Sequence, residues 1–298
     1  MTTPTISIII PVYNVAPYIQ NCLHSISHFD SIELILVDDG STDDSVAQIQ
    51  AFFKANTHLT HTLIRQPNQG PGAARNTGIA AATGDYLLFL DGDDFLLDMP
   101  PLGGDVTFGR YIKYLNGVPL PHKQHTFSLE PTGNISEYVI ASFPEPSWNS
   151  AWRYIVKREF ILQHQLFFHP TMHCEDLKWV LELLHTCDQV KADFRFASDP
   201  FYAYNYRRKD SIMNTLSPKR TIDLNTIIKQ AKQTYSNNPA ILKELRYQMF
   251  FYINEYWLMP DKKALKASYR GLYPTWLLYP TSLALYSARK LYHRLKKK

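Results

Sequence analysis

Cysteine is scarce in this chain of 298 residues, and its three cysteines, Cys22, Cys174 and Cys187, lie far apart. So few and so scattered cysteines exclude a disulfide framework and a cysteine-based zinc site, and they suit a reducing cytosol. No charged leader and no long apolar run precede Asn14, so we expect no signal peptide. Together these features predict a cytoplasmic protein.

Long apolar runs and a large excess of one charge are also missing. No uninterrupted apolar stretch reaches about 18 residues, so we predict no membrane-spanning helix. The net charge is only +4, far below the basic excess of a dedicated nucleic-acid-binding protein, so no nucleic-acid partner is expected. A hydrophobic content of 45% with 19% charged residues suits a packed core and argues against disorder.

Apolar strand patterns alternate with amphipathic helix patterns in the first third of the chain. Such alternation is typical of βαβ units, so we predict an α/β fold with a mostly parallel sheet flanked by helices. Ser41 or Thr42 is expected to cap the second helix, with Asp43 and Asp44 in its first turn. The predicted strands are residues 6–12, 33–37, 62–65 and 86–90, and the other predicted helices are residues 17–27 and 72–82.

The rest of the chain divides into two predicted parts. Residues 106–111 and 201–206 read as further strands, and residues 175–185 have the spacing of an amphipathic helix. From residue 218 onward the pattern becomes helical, with helices expected over residues 221–235 and 240–257. We therefore predict an α/β domain over residues 1–216 and a C-terminal helical region over residues 217–298 that ends in a basic, aromatic tail.

Polar residues follow three of the predicted strands. In parallel sheets, ligands bind outside the carboxyl ends of the strands. Several carboxylates at one sheet edge repel each other unless a cation lies among them, and hard oxygen ligands suit Mg²⁺ or Mn²⁺. The pattern predicts a metal site that neutralises a diphosphate. The polar strand ends are Tyr13-Asn14, Asp38-Asp39 and Asp91-Gly92-Asp93-Asp94.

Four short motifs follow one another along the first third of the chain. They are Pro11-Val12-Tyr13-Asn14, Val37-Asp38-Asp39-Gly40-Ser41-Thr42-Asp43, Gly72-Ala73-Ala74-Arg75-Asn76-Thr77-Gly78 and Leu90-Asp91-Gly92-Asp93-Asp94. Their order and spacing resemble those of family 2 glycosyltransferases over roughly residues 6–95, and weaker matches extend to about residue 212. These enzymes have the GT-A fold, and the resemblance implies sugar transfer, with inversion at the anomeric carbon, from a nucleotide-diphosphate donor in bacterial surface-polysaccharide synthesis.

The resemblance assigns donor-binding roles to residues of these motifs. It implies that Asp39 contacts the base, that Asp91 lies on the ribose or metal side, and that Asp93 is the leading ligand of a Mn²⁺ or Mg²⁺ ion. Asp94 is expected beside Asp93 at the metal. The other residues expected to bind the donor are Pro11, Tyr13, Asn14 and Arg75, and we expect Arg75 also to form a buried ion pair with Asp91 or Asp39.

Later motifs carry the expected catalytic and acceptor groups. His173-Cys174-Glu175-Asp176-Leu177 resembles the family's Glu-Asp pair, which implies that Asp176 is the general base and that Glu175 has an acceptor-side or structural role. Trp148 and Trp152 resemble an aromatic acceptor-side segment. In the segment 204–212, resemblance implies that Arg207, chosen over Arg208, and Ser211 reach the diphosphate, and a guanidinium matches phosphate oxygens well.

Each motif also has a simpler interpretation. Asp38-Asp39-Gly40 alone is a turn, and Asp176 alone is an acid in a first helical turn. Gly70-Pro71-Gly72 suggests a dinucleotide site, but Arg75 stands where the third glycine is needed. The alternatives to an enzyme of this family are a non-catalytic sugar-nucleotide or membrane-surface binding module and a nucleotidyltransferase, which would need a Gly-rich, Lys-bearing loop after the first strand.

The segment 269–298 interleaves aromatic residues with lysines and arginines, which is typical of a segment that lies on an anionic membrane surface. A solvated terminal helix is the alternative. A lipid-linked saccharide is a natural acceptor for this family, so a peripheral position on the inner face of the cell membrane is predicted.

Deletion of residues 286–298 should weaken binding to phosphatidylserine vesicles by orders of magnitude. Each Lys or Arg near an anionic surface contributes about 1 kcal/mol, and the segment holds several. Co-sedimentation at low and high salt measures the effect, which should shrink as salt rises. Equal sedimentation of the truncated and full-length proteins would show that the tail is a plain solvated helix.

Overall fold

A computed structural model describes residues 5–99, 102–115, 117–120, 134–142, 146–206, 217–238, 241–242 and 245. The chain divides into two compact units. The first comprises Met1–Ile135, Asn149–Thr171 and Glu175–Arg208, and the second comprises Ser136–Trp148, Met172–Cys174 and Lys209–Lys298. The domain boundary after residue 216 stays a prediction.

Nine strands of the first unit form one sheet in the part of the chain that the structure describes. The strands are β1 (Ile6–Val12), β2 (Ile32–Asp38), β3 (His61–Arg65), β4 (Tyr86–Phe89), β5 (Phe95–Leu96), β6 (Val106–Leu115), β7 (Val118–Pro119), β8 (Tyr154–Lys157) and β9 (Phe194–Asn205). Their order in the sheet is β3-β2-β1-β4-β8-β6-β9-β5, and β7 pairs with β6. Strands β3, β2, β1 and β4 are mutually parallel, β8 runs antiparallel to β4 and β6, and β9 is parallel to β6.

Helices connect the parallel strands, because parallel neighbours need a crossover that returns the chain to the same end of the sheet. The described helices are α1 (Ile19–Ile26), α2 (Ser45–Ala55), α3 (Pro71–Ala81), α4 (Ile135–Ser142), α5 (Arg158–Gln163), α6 (Glu175–Val190) and α7 (Pro218–Thr234), with short 3-10 turns at Pro146–Asn149 and Ala151–Arg153. Helix α3 packs on β1 and β2, while α1 packs on α2 and β5.

The N-terminal strands are buried because both of their faces are covered. Ile8, Ile9 and Ile10 of β1 have no exposed surface, and residues 34–37 of β2 are equally buried. A strand buried on both faces reads as a continuous apolar run, which is why these strands are visible in the sequence. The predicted α/β fold with a mostly parallel sheet flanked by helices is confirmed.

The predicted start of the second helix is wrong. Helix α2 begins at Ser45, and its N-cap, Asp44, makes no side-chain capping hydrogen bond. Residues 41–44 form a loop, because Asp43 accepts hydrogen bonds from the backbone N–H of Ser45 (3.0 Å) and from the backbone N–H of Ala16 (3.0 Å) in the loop after β1. Local propensity assigns residues 41–44 to the helix, but tertiary contacts hold them in a loop instead.

The second unit contains α7 and nearly all of α4. Ser217 caps α7 by accepting a hydrogen bond from the N–H of Arg220 (3.3 Å), with Pro218 in the first turn. The predicted helix 240–257 falls largely, and the basic tail wholly, outside the described residues. None of the helices in the described ranges has the length and hydrophobicity of a membrane-spanning segment.

Gly78 allows α3 to approach β1 closely, because a Cβ there would lie 2.3 Å from Cγ2 of Ile9. In Gly78→Ala, overpacking should cost about 1–3 kcal/mol, while helix propensity should contribute a gain of roughly 1 kcal/mol. The free energy of unfolding should therefore fall by up to about 2 kcal/mol, the difference between the two effects. Urea denaturation measures it, with Ala80→Gln on the exposed face of α3 as the control. A stabilised Gly78→Ala protein would contradict the close packing.

Candidate active site

The loops after β1 and β2 are joined by polar contacts. Asn14 adopts a left-handed conformation with φ of 51°. Its side-chain oxygen accepts a hydrogen bond from the N–H of Thr42 (2.8 Å), and its own N–H donates to Oγ of Ser41 (3.1 Å). The N–H of Val15 donates to Oγ of Ser45 (2.9 Å). The two strand ends thus form one polar surface, on which the predicted donor-binding Tyr13 is 44% exposed and Pro11 is half-buried.

Asp39 is almost fully buried and organises the loop that precedes α3. Its Oδ1 accepts hydrogen bonds from Nε2 of Gln66 (2.8 Å) and from the N–H of Gln69 (2.9 Å), and its Oδ2 accepts from the N–H of Gly70 (2.7 Å). A carboxylate has about four acceptor positions, so these three donors leave one position, on Oδ2. The predicted ion pair between Asp39 and Arg75 is not among the contacts of either residue.

Helix α3 is held against residues 168 and 169 by two small features. A Cβ on Gly72 would lie 2.7 Å from the carbonyl oxygen of His169, so only glycine permits this approach. Asn76 exchanges two hydrogen bonds with the backbone of Phe168, donating to its oxygen (2.8 Å) and accepting from its N–H (2.9 Å). These contacts bring the N-terminal half of α3 to the start of α6.

Arg75 lies at this junction, and three carboxylates surround its guanidinium. Its Nη2 lies 2.9 Å from Oδ1 of Asp91, and its Nη1 lies 2.7 Å from Oε1 of Glu175 and 2.9 Å from Oδ1 of Asp176. Only 4% of Arg75 is exposed. We call these four residues the Arg75 cluster. The predicted pair with Asp91 is therefore present, and the cluster joins Asp91, which follows β4, to the predicted general base.

The cluster holds more negative than positive charge, and this affects Asp176. Burial raises the pKa of Asp176 to about 7, Glu175 and Asp91 act in the same direction, and Arg75 and the N–H of Ala151 oppose them. That N–H donates to Oδ2 (3.1 Å), while no described residue donates a well-aligned hydrogen bond to Oδ1. The side chain keeps 23% exposure. A carboxyl with these properties can take a proton from a ligand near neutral pH.

Asp91, Gly92, Asp93 and Asp94 form a tight turn directly after β4, in which the N–H of Asp94 donates to the oxygen of Asp91 (2.9 Å). We call it the acidic turn. Asp91 and Asp93 are half-buried, whereas Asp94 is 1% exposed. The oxygens of Asp94 accept hydrogen bonds from the hydroxyl of Tyr202 (2.7 Å) and from the N–H of Asn205 (2.7 Å). The turn is therefore fastened to the end of β9.

The acidic turn creates a negative field that acts on neighbouring groups. Burial, and then the charges of Asp94, Asp93 and Asp91, raise the pKa of both the Cys22 thiol and the Tyr204 hydroxyl. This field and the all-oxygen donor set of the turn fit a hard divalent cation. Among the described residues, no group of three or more His, Cys, Asp or Glu side chains is arranged to hold a metal by itself. A Mg²⁺ ion bound through one or two carboxylates and a diphosphate needs no such group.

The predicted acceptor-side tryptophans are both buried. Trp152 is 5% exposed and stacks on Tyr202, with 4.3 Å between ring centroids, while Trp148 is fully buried and belongs to the second unit. Their acceptor-side role stays a prediction, and neither indole offers an open face in this structure. The predicted diphosphate contacts Arg207 and Ser211, together with Arg208, lie outside the described residues.

Sequence reasoning missed several residues that organise the site. Tyr202 and Asn205 hold the acidic turn, Asn76 holds the segment before α6, and Gln66 bonds to Asp39. Asn76 lies inside a recognised motif, so its motif membership was the available signal. The others are ordinary residues of a strand or a loop, and their pattern alone does not mark them.

Solved structures resemble this chain over nearly its whole length. The structure of residues 1–349 of TarS from S. aureus, in complex with UDP-GlcNAc, has a TM-score of 0.61 at 19% identity and covers 95% of this chain and 80% of its own. The mannosyltransferase PcManGT from Pyrobaculum calidifontis, in complex with GDP-Man and Mn²⁺, has a TM-score of 0.56 at 17% identity and covers 100% of this chain and 83% of its own. The fold is thus that of GT-A glycosyltransferases.

Sequence comparison narrows this class to one family. The family model described as glycosyl transferase family 2 matches residues 7–99. EpsH of Bacillus subtilis, a protein named only provisionally as a glycosyltransferase, is 30% identical over 265 residues, which cover 82% of this chain and 71% of EpsH. YibD of Escherichia coli, an uncharacterized glycosyltransferase, is 23% identical and covers 84% of this chain and 77% of its own. The chain belongs to glycosyl transferase family 2.

Arg75→Met should lower the free energy of unfolding at pH 8 by about 3–5 kcal/mol, because it leaves three carboxylates without their cation. The deficit should shrink toward pH 5, since without the guanidinium the carboxyls take up protons and no longer repel each other. Urea denaturation at both pH values measures it. Arg195→Met is the matched control, because Arg195 and its partner Asp193 are both more than half exposed, and it should leave the free energy of unfolding nearly unchanged. A deficit independent of pH would contradict the charge argument.

Proposed function

We propose that this protein is an inverting glycosyltransferase that moves a hexose or N-acetylhexosamine from a nucleotide-diphosphate sugar to a hydroxyl of a glycan or lipid-linked saccharide. The proposed setting is bacterial capsule, lipopolysaccharide or exopolysaccharide synthesis. One observation carries the proposal: Arg75 contacts Asp176, a carboxyl with a pKa of about 7, and also Asp91 of the acidic turn. The base and the donor-side acid are therefore fixed relative to each other.

The donor is proposed to bind across the ends of β1, β2 and β4. Asp39 would accept a hydrogen bond from the base with the acceptor position left on Oδ2, and Tyr13, Pro11 and Asn14 line the adjacent polar surface. UDP is preferred, since the TarS structure holds UDP-GlcNAc, although the mannosyltransferase holds GDP-Man. Arg207 and Ser211 stay proposed contacts to the diphosphate.

Mn²⁺ or Mg²⁺ is the proposed cofactor, with Asp93 as the leading ligand and Asp91 next to it. When bound, the metal would neutralise negative charge on the departing diphosphate. Asp94 was predicted from sequence as a second ligand, but its oxygens already accept hydrogen bonds from Tyr202 and Asn205. The negative field of the acidic turn supports the metal, and the Mn²⁺ in the mannosyltransferase structure is consistent with it.

Asp176 is the proposed general base. The acceptor oxygen forms a bond to the anomeric carbon while the bond from that carbon to the diphosphate oxygen breaks, and the acceptor proton passes to Asp176. The nucleoside diphosphate leaves with the bonding electrons, so one displacement inverts the configuration. Glu175 shares Nη1 of Arg75 with Asp176 and is proposed to hold that guanidinium in place on the acceptor side.

Two further assignments complete the proposal. The protein would act in the cytoplasm, with its basic tail on the anionic inner face of the membrane when the acceptor is lipid-linked.

The alternative to an enzyme is a module that binds sugar nucleotides or membrane surfaces without catalysis. The retained Asp176, with its pKa near neutrality, favours an enzyme over that module.

A donor panel tests the proposed function directly. The protein is incubated with Mn²⁺ and a series of UDP-, GDP- and dTDP-sugars, with and without a saccharide acceptor, and nucleotide release is followed. Metal-dependent release that rises with acceptor supports transfer, and Asp93→Asn should abolish it. Binding without release across the panel would favour the non-catalytic module, and full activity in excess EDTA would remove the metal from the proposal.

Asp176→Asn should bind donor normally but transfer about 10²- to 10⁴-fold more slowly, the usual contribution of a general base. In the wild type, kcat/KM should fall as the pH drops below about 7, because protonated Asp176 cannot accept the acceptor proton. In Asp176→Asn, kcat/KM should no longer show this fall at low pH. Calorimetry measures the donor affinity and product formation measures the transfer rate, and both are recorded on the same sample.

Glu182→Gln is the matched control, since Glu182 lies on the exposed face of the same helix and pairs with Lys178. It should keep both the rate and the pH profile. An unchanged rate in Asp176→Asn would move the base role elsewhere, with Glu175 as the first residue to examine.

A further inference from the structure

One tyrosine hydroxyl contacts two positions of the acidic turn. Tyr202 lies in β9 and is fully buried. Its O–H donates to Oδ2 of Asp94 (2.7 Å), and the same oxygen accepts a hydrogen bond from the N–H of Asp91 (3.3 Å). The hydroxyl therefore links the first residue of the turn to the last.

Asn205, at the end of β9, makes a second set of contacts. Its N–H donates to Oδ1 of Asp94 (2.7 Å), and its side-chain Nδ2 donates to the carbonyl oxygen of Asp93 (3.2 Å). Each carboxylate oxygen of Asp94 thus has a short hydrogen bond within the protein. Within the turn, Asp94 is only 1% exposed, whereas Asp91 and Asp93 are half-buried and keep surface for an ion.

Aromatic packing fixes the tyrosine that makes these contacts. The indole of Trp152 stacks on Tyr202 at 4.3 Å and 13° between ring planes, and Tyr111 packs edge-on against Trp152 at 5.0 Å. Offset stacking of buried rings restricts their rotation. The hydroxyl of Tyr202 is consequently held at one point between Asp91 and Asp94.

We infer that Asp94 is a positioning residue, which acts through Tyr202 and Asn205 to orient the acidic turn so that Asp91 and Asp93 face the donor diphosphate and its metal. This inference rests on the proposed function and deepens it, because it replaces the second metal ligand predicted from sequence with a support behind the turn. It also gives Trp152 a role in the packing of the site.

Amide hydrogen exchange of the apo protein tests the support without any ligand. Tyr202→Phe removes a single hydroxyl and leaves the ring that stacks on Trp152, and Asp94→Asn keeps the side-chain volume. Both variants should exchange faster than the wild type over residues 91–96 and unchanged over residues 6–12 of β1. Unchanged exchange over residues 91–96 in both variants would overturn the inference, whether or not the protein binds nucleotides.

A double-mutant cycle on UDP affinity distinguishes a positioning residue from a ligand. With Mn²⁺, Tyr202→Phe and Asp94→Asn should each weaken UDP binding about tenfold, as supports of metal ligands do. The double variant should also lose about tenfold, because both changes remove the same contact. Without Mn²⁺, the two single variants and the double variant should bind UDP as tightly as the wild type does. A variant that had lost its fold would not keep that affinity.

Asp93→Asn is the comparison variant and should lose the Mn²⁺ dependence altogether. If Asp94→Asn loses it equally, and its effect adds to that of Tyr202→Phe, then Asp94 is a direct ligand and the inference is wrong. A wild type that binds no UDP or GDP with Mn²⁺ would defeat the proposed function instead, and the exchange experiment would still decide whether Asp94 supports the turn.

Discussion

The arrangement of the site depends on one buried guanidinium. Arg75 compensates three carboxylates that come from two distant parts of the chain: Asp91 after β4, and Glu175 and Asp176 at the start of α6. Without this cation, burying those acids together would be strongly unfavourable. With it, the charge is still not balanced, and burial together with the surplus of negative charge raises the pKa of Asp176, while Arg75 opposes the rise. The same interaction therefore stabilises the junction and limits the rise in the pKa of the proposed base.

Much of the fold could be predicted from the sequence, because strands buried on both faces leave continuous apolar runs. The strands β1, β2, β3 and β4 and the helix α3 lie close to their predicted positions. The cap of α2 was predicted wrongly, because Asp43 bonds to Ala16 of another loop as well as to Ser45, and no local pattern contains that contact. The antiparallel insertion of β8 between β4 and β6 is equally invisible, since it depends on pairing between strands far apart in sequence.

The candidate site was predictable as a set of motifs but not as a network. The motif containing Arg75 and Asn76 combines three kinds of contact: close backbone approach at Gly72 and Gly78, a buried charge, and an amide pair with Phe168. Its pattern marks the residues, whereas Glu175, a partner of Arg75, and Phe168, the partner of Asn76, lie 100 and 92 positions later. Asp94 shows the limit of such reasoning, because its partners Tyr202 and Asn205 follow after 108 and 111 positions. A carboxylate in an acidic motif can thus be a support as readily as a ligand.

The bonding of Asp39 has a consequence for protein engineering. Its carboxylate accepts from Gln66, Gln69 and Gly70, so the group proposed to recognise the base also closes the loop that leads into α3. Exchanging it to accommodate a different nucleotide would place an amide donor or a methyl group against two backbone N–H groups and would loosen the loop at the same time. Redesign of donor choice should begin instead at Tyr13, whose ring is open to solvent and whose replacement leaves that loop intact.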